Sequence, residues 1–151
     1  MDQIYTHPKR KTKVVFVQLG SPSEPTTKAL RKYLRKFLGD PRVVDINPWL
    51  WKIILNLFVL PFRPKKSAKL YARIWDGKSF PLITNTRDFT NNVREQLKKI
   101  DPNGYVEVNH AFLLSPPYVN EVYDSWEDDL KKGIGATKLL VIPMFPQYSE
   151  S

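Results

Sequence analysis

Apolar positions along the chain follow two rhythms. Runs at residues 14–20 (VVFVQLG), 105–114 (YVEVNHAFLL) and 138–145 (KLLVIPMF) predict three strands. The first and third are continuous and rich in β-branched residues, the pattern of a parallel strand covered on both faces. Elsewhere the period is helical. Ala29, Leu30, Tyr33, Leu34, Phe37 and Leu38 form one face of a helix over 26–38, with Lys28, Arg31, Lys32, Arg35 and Lys36 on the other. Pro25-Thr26-Thr27 supplies its cap. Leu70 and Ile74 predict a helix over 67–74. Phe89, Val93, Leu97 and Ile100 predict one over 84–100, and Val119, Val122, Tyr123, Trp126 and Leu130 one over 118–132, capped by Gly133 and Gly135. Residues 40–46 read as a short extended segment and 76–81 as a loop. The apolar pairs at 43–44 and 82–83 are candidates for minor strands.

This order of elements, with short turns, predicts an α/β chain. The expected architecture is a Rossmann-like three-layer domain, a parallel sheet flanked by helices, over residues 13–151, with residues 1–12 a basic tail. A strand end with no closing helix gives the sequence the look of the front part of something longer. The turn after the first strand (Leu19, Gly20, Ser21, Pro22) lies where α/β units gather ligands, beyond the carboxyl end of a strand.

One stretch fits neither rhythm. In residues 47–66, NPWLWKIILNLFVLPFRPKK, only Lys52 and Asn56 are polar between Trp49 and Phe62, and Arg63, Lys65 and Lys66 close it. A helix there is apolar in almost every direction, yet short of the roughly 20 apolar residues of a membrane span. Burial in a core, a membrane-facing lip and the wall of an apolar cavity all remain open.

Composition narrows the choice. The net charge of +9 is uneven: residues 1–75 hold 16 Lys and Arg against 4 Asp and Glu, and residues 76–151 hold 8 against 11. A basic front half suits an anionic partner. Nucleic acid is not expected, because no RNP, zinc-finger or helix-turn-helix signature occurs. No GxGxxG or GxxxxGK[ST] occurs, which removes dinucleotide and Walker-type phosphate sites. With no cysteine there is neither a disulfide nor a thiolate ligand. The first residues lack a signal-peptide core, so a cytoplasmic location is expected.

Four blocks in order resemble the amino-terminal half of the ferrochelatase family: residues 18–46 (QLGSPSEPTTKALRKYLRKFLGDPRVVDI), 60–75 (LPFRPKKSAKLYARIW), 79–82 (SFPL) and 139–151 (LLVIPMFPQYSES). The likeness covers nearly all of residues 13–151. It implies a chelatase-like fold and a lyase reaction, the insertion of ferrous iron into a porphyrin in haem synthesis. It makes residues 47–66 a lip of the porphyrin cleft that, in many members, faces a membrane, so a membrane-associated location is also open. The porphyrin-binding residues it implies are Leu19, Trp49, Trp51, Leu55, Phe58, Phe62, Arg63, Tyr71, Phe80, Phe112, Gln147, Tyr148 and Ser149. A flat apolar disc with propionates at one edge needs apolar walls and nearby cations.

Two departures stand out. Where the family has MRYG, this chain has the run His110-Ala111-Phe112-Leu113, and Phe80 replaces the serine of GSPL. The family's catalytic histidine and glutamate belong to its carboxyl-terminal half, the expected partner of this one. None of the present residues is therefore expected to be catalytic, to ligate a metal or to hold a cofactor, Fe²⁺ being the family's metal substrate. His7 falls in the basic tail, His110 is read as structural or hydrogen-bonded, and Asp124, Glu127, Asp128 and Asp129 as a solvated helix face. The alternative reading is a non-catalytic tetrapyrrole-binding or membrane-peripheral module on the same scaffold.

Overall fold

The computed structural model describes residues 11–145. They form two compact units. One contains the described part of Met1–Gln18 together with Thr86–Met144, and the other contains Leu19–Asn85 with Phe145.

The first unit is built on strand β1 (Thr12–Gln18), which pairs in parallel with β2 (Val106–Phe112) on one side and β3 (Lys138–Pro143) on the other. Both edges of β1 are thus occupied, and helices cover both faces. On one face Val14, Phe16 and Val108 pack against Val93 and Leu97 of α4 (Pro81–Ile100), and the Phe89 ring meets Phe16 edge-on at 5.1 Å. On the other, Val15, Val17 and Ala111 pack against Val119 and Val122 of α5 (Val119–Lys131). This is the three-layer arrangement that the apolar runs predict. Each fully buried valine or phenylalanine among them is worth about 1.5–3 kcal/mol.

The two outer strands differ. Along the free edge of β2, Asp101 Oδ2 accepts the Val106 N–H at 2.7 Å and Arg94 Nε donates to the Val108 carbonyl at 2.6 Å. Side chains from within α4 and from the residue after it therefore occupy backbone groups that could otherwise recruit another strand. Strand β3 was expected to be buried and is not. Leu140, Val141 and Ile142 are 48%, 47% and 36% exposed, because β1 is its only paired neighbour among the described residues.

The second unit begins where β1 ends. Gly20 turns the chain with φ 95°, a value that favours glycine. Thr26 Oγ1 accepts the Ala29 N–H and starts α1 (Thr27–Leu38). Residues 41–43 form a turn rather than an extended segment. The Asp40 carboxylate draws it tight by accepting from the Arg42 backbone N–H at 2.9 Å and from its guanidinium at 2.8 and 3.0 Å. Nor are residues 82–83 a strand; they belong to the first turn of α4.

The apolar stretch is helical throughout. It comprises α2 (Pro48–Ile54), a π-helical turn (Leu55–Val59) and α3 (Leu60–Tyr71), followed by a 3₁₀ turn (Ala72–Ile74). Asn47 Oδ1 caps it by accepting from Trp49 N and Leu50 N, and Pro48 sits in the first turn, where its missing N–H costs nothing. Helix α3 starts seven residues before the expected 67 and runs through Pro64. An internal proline deprives the carbonyl four residues back of its donor. That carbonyl belongs to Leu60, and Arg31 Nε of α1 donates to it at 3.2 Å. In the π-helical turn Asn56 Nδ2 donates to the Lys52 carbonyl at 2.7 Å, alongside the Leu55 N–H.

Two predictions follow from the strand edge and the proline. Val141→Lys places a charge on the exposed strand and is expected to reduce aggregation on heating, read by light scattering, at a cost within about 0.5 kcal/mol in urea unfolding. Arg31→Met is expected to cost about 1–2 kcal/mol by the same unfolding, and clearly less in a Pro64→Ala background, where residue 64 regains an N–H for the Leu60 carbonyl.

Candidate functional site

Helical geometry divides the α2–α3 run into two sides. Leu60, Pro64 and Ala68 are buried, four residues apart, on the side that meets α1. Positions 58, 62 and 66 are offset by two residues, or about 200° around the axis, so they lie on the opposite side. Phe58 and Phe62 are accordingly 64% and 72% exposed, with Arg63, Lys65 and Lys66 exposed around them. Trp49 (74%) and Leu57 (61%) are also outward. Exposed aromatic side chains grouped in this way and rimmed by cations are the kind of surface feature that interaction sites favour.

The other residues expected in the site fall elsewhere. Trp51 turns inward and its indole Nε1 donates to the Leu38 carbonyl at 2.6 Å, tying α2 to the end of α1. Leu55 is buried. These two anchor the helix that carries the outward aromatics. Phe80 is 2% exposed, with Tyr71 and Trp75 edge-on to it at 5.4 and 4.7 Å. It offers packing to Tyr71 rather than surface to a ligand. Phe112, on β2 in the first unit, is fully buried. Gln147, Tyr148 and Ser149 lie outside the described residues.

At the turn after β1, Leu19 is half-buried while Gly20, Ser21 and Pro22 are buried. The buried Tyr33 hydroxyl donates to the Gly20 carbonyl at 3.2 Å. Burial, reinforced by the neighbouring Tyr71, pushes the Tyr33 pKa up to about 12, and burial raises Tyr71 as well. Both phenols are neutral at physiological pH and act as hydrogen-bonding groups. Nothing in the sequence signalled the tyrosine–glycine tie, since Tyr33 counts only as one apolar position on the α1 face.

His110 is half-buried on β2, and its Nδ1 has no hydrogen-bond partner among the described residues. Burial first, then the charges of Arg94 and Arg87, depress its pKa below the usual histidine value, so the ring is neutral at physiological pH. Among the described residues no group of three His, Asp or Glu is placed to hold a metal ion. On α5, Glu127 pairs with Lys131 at 2.8 Å, and Asp124 and Asp128 are exposed.

The raised Tyr33 pKa sets a pH dependence. The folded state holds this proton more tightly than the unfolded chain, so the contribution is full below pH 10 and is lost as pH climbs from 10 toward about 12. Ultraviolet titration is expected to show a phenol ionising near pH 12 that disappears in Tyr33→Phe. The same variant should unfold with a shallower loss of stability above pH 10.

Comparison with known proteins places these features in context. The family model described as Ferrochelatase matches residues 11–151. A protein from Idiomarina loihiensis named ferrochelatase is 41% identical over 138 residues, 91% of this chain and 36% of its own length. One of the same name from Psychrobacter arcticus is 43% identical over 138 residues, 90% of this chain and 38% of its own. A third, from Francisella tularensis, is 37% identical over 150 residues, 97% of this chain and 41% of its own. The chain thus spans about two fifths of the length of the curated relatives it matches.

Proposed function

Since this chain belongs to the ferrochelatase family, we propose that it supplies the apolar lip and one wall of a porphyrin cleft, in an enzyme that inserts ferrous iron into the macrocycle for haem synthesis. The observation that carries this reading is the outward row on α2–α3. Phe58 and Phe62 present flat apolar surface, and Arg63 adjoins them with a fixed cation for a propionate. Leu19 and Tyr71 belong to the same unit and would extend the wall. Phe80 supports Tyr71 from behind.

Metalation also needs a base for two pyrrole protons and ligands that pass Fe²⁺ to the ring. No histidine–carboxylate constellation among the described residues suits either task, and we assign both to the part of the relatives' length that this chain does not span. The 151-residue chain is expected to bind porphyrin without inserting metal. In a fluorescence titration, Phe58→Ala plus Phe62→Ala should weaken binding about tenfold or more. Arg63→Ala should weaken a dicarboxylic porphyrin and leave its dimethyl ester unaffected. Fe²⁺ or Zn²⁺ insertion by this chain alone would overturn the assignment.

No helix among the described residues is long and apolar enough to cross a membrane. Trp49 and Phe58 beside lysines instead suit contact with a bilayer surface, from which an apolar substrate could be taken. Co-sedimentation with anionic liposomes that is unchanged in Trp49→Ala plus Phe58→Ala would remove this role. The second reading, a tetrapyrrole carrier or membrane-peripheral module without chemistry, draws on Ala111, Phe112 and Phe80, the departures from the family's pattern. It predicts binding without metalation even in a protein that carries the relatives' remaining length.

A further inference from the structure

Behind the outward row, the second unit contains a separate cavity of about 410 Å³ between the end of α1, residues 41–46, and α2 with the start of the π-helical turn. This volume falls within the roughly 300–1,000 Å³ of small-molecule sites. Val44, Ile46, Trp51 and Leu55 provide apolar lining, and two cations, Arg35 and Lys52, also line it. No carboxylate does, among the described residues. The nearby Asp40 is engaged by Arg42 at 2.8 Å, whereas neither Arg35 nor Lys52 has an ion-pair partner among the described residues.

Local structure keeps the cavity open. The hydrogen bond from Trp51 to the Leu38 carbonyl fixes the indole as one wall. Pro41 and Pro48, both lining residues, restrict the backbone at two other points. At Gly39, a lining residue, an added Cβ would lie 2.5 Å from the Arg35 carbonyl oxygen, so the position does not accept a side chain that could narrow the space.

We propose that this cavity binds a linear fatty acid, its acyl chain against Val44, Ile46, Trp51 and Leu55 and its carboxylate at Arg35 and Lys52. The charge pattern selects the class: an apolar pocket with two unpaired cations and no acid complements a single-chain monoanion. A dicarboxylic macrocycle belongs to the outward surface on the other side of the same helix. The inference rests on the cavity alone and stands whether or not the chain binds porphyrin.

The test uses laurate, below the concentration at which it forms micelles, with the 151-residue chain in isothermal titration calorimetry. Saturable binding is expected, weakened about tenfold or more in Arg35→Ala plus Lys52→Ala, both exposed positions whose loss should leave the circular dichroism unchanged. Dodecanol, which lacks the charge, should bind correspondingly less well. A brominated fatty acid should quench tryptophan emission, and Trp51→Phe should remove most of that quenching. The proposal fails if laurate does not bind. It also fails if laurate and dodecanol bind alike, if the two cation replacements change nothing, or if binding is lost in Phe58→Ala plus Phe62→Ala and retained in the cation variant, which would place the amphiphile on the outward surface. Retention of porphyrin binding alongside loss of laurate binding in the Arg35 and Lys52 variant separates this site from the porphyrin wall.

Discussion

A backbone N–H or carbonyl removed from water must find a partner, and this requirement shapes the molecule wherever regular pairing is interrupted. Pro64 strips the Leu60 carbonyl of its helical donor, and Arg31 replaces it. At the π-helical turn Asn56 adds a side-chain bond to the Lys52 carbonyl, which also accepts the Leu55 N–H. Helix α1 ends with an orphan carbonyl at Leu38, which the Trp51 indole takes. The Gly20 turn leaves a carbonyl for Tyr33, and the β2 edge leaves groups for Asp101 and Arg94. Each repair joins two elements, so the polar bonds in the second unit also set how α1 and the apolar helices meet.

The division of the apolar stretch follows from those ties. Trp51 and Leu60 fix one side of the run against α1, through the indole and through the Arg31 guanidinium. Once that side is fixed, Phe58 and Phe62 must face away. The cations divide likewise. Arg31 is committed to a backbone carbonyl, whereas Arg63, Lys65 and Lys66 remain exposed beside the aromatics. Net positive charge on the front half therefore conceals two kinds of arginine, one structural and one available to a ligand.

Much of the fold could be read in advance. The strands, α1, α4 and α5 lie within a few residues of where apolar periodicity puts them, because each buries a face whose spacing matches its own geometry. The misreadings have local causes. Residues 40–46 carry an apolar pair at 43–44, but residues 41–43 turn, because Asp40 binds the Arg42 backbone and side chain together. The helix expected from residue 67 begins at Leu60 and runs through Pro64, because a donor from a distant residue serves the carbonyl that the proline leaves. Strand β3 carries the composition of a buried strand, but composition records what a strand suits and not whether a neighbour is present to cover it.

The candidate site was legible to a lesser degree. The sequence by itself determined that residues 47–66 form an apolar segment closed by cations, and the blocks flanking it carry the family resemblance. Only the tertiary structure decided which apolar side chains remain outside. Trp49 and Trp51 are indistinguishable by composition, yet one is exposed and the other is locked to Leu38. Phe62 and Phe80 look alike in the chain, yet one lies on the surface and the other between Tyr71 and Trp75. The reason is that hydrophobicity belongs to a residue, while the side of a helix it occupies is fixed by hydrogen bonds to partners 13 and 29 positions away.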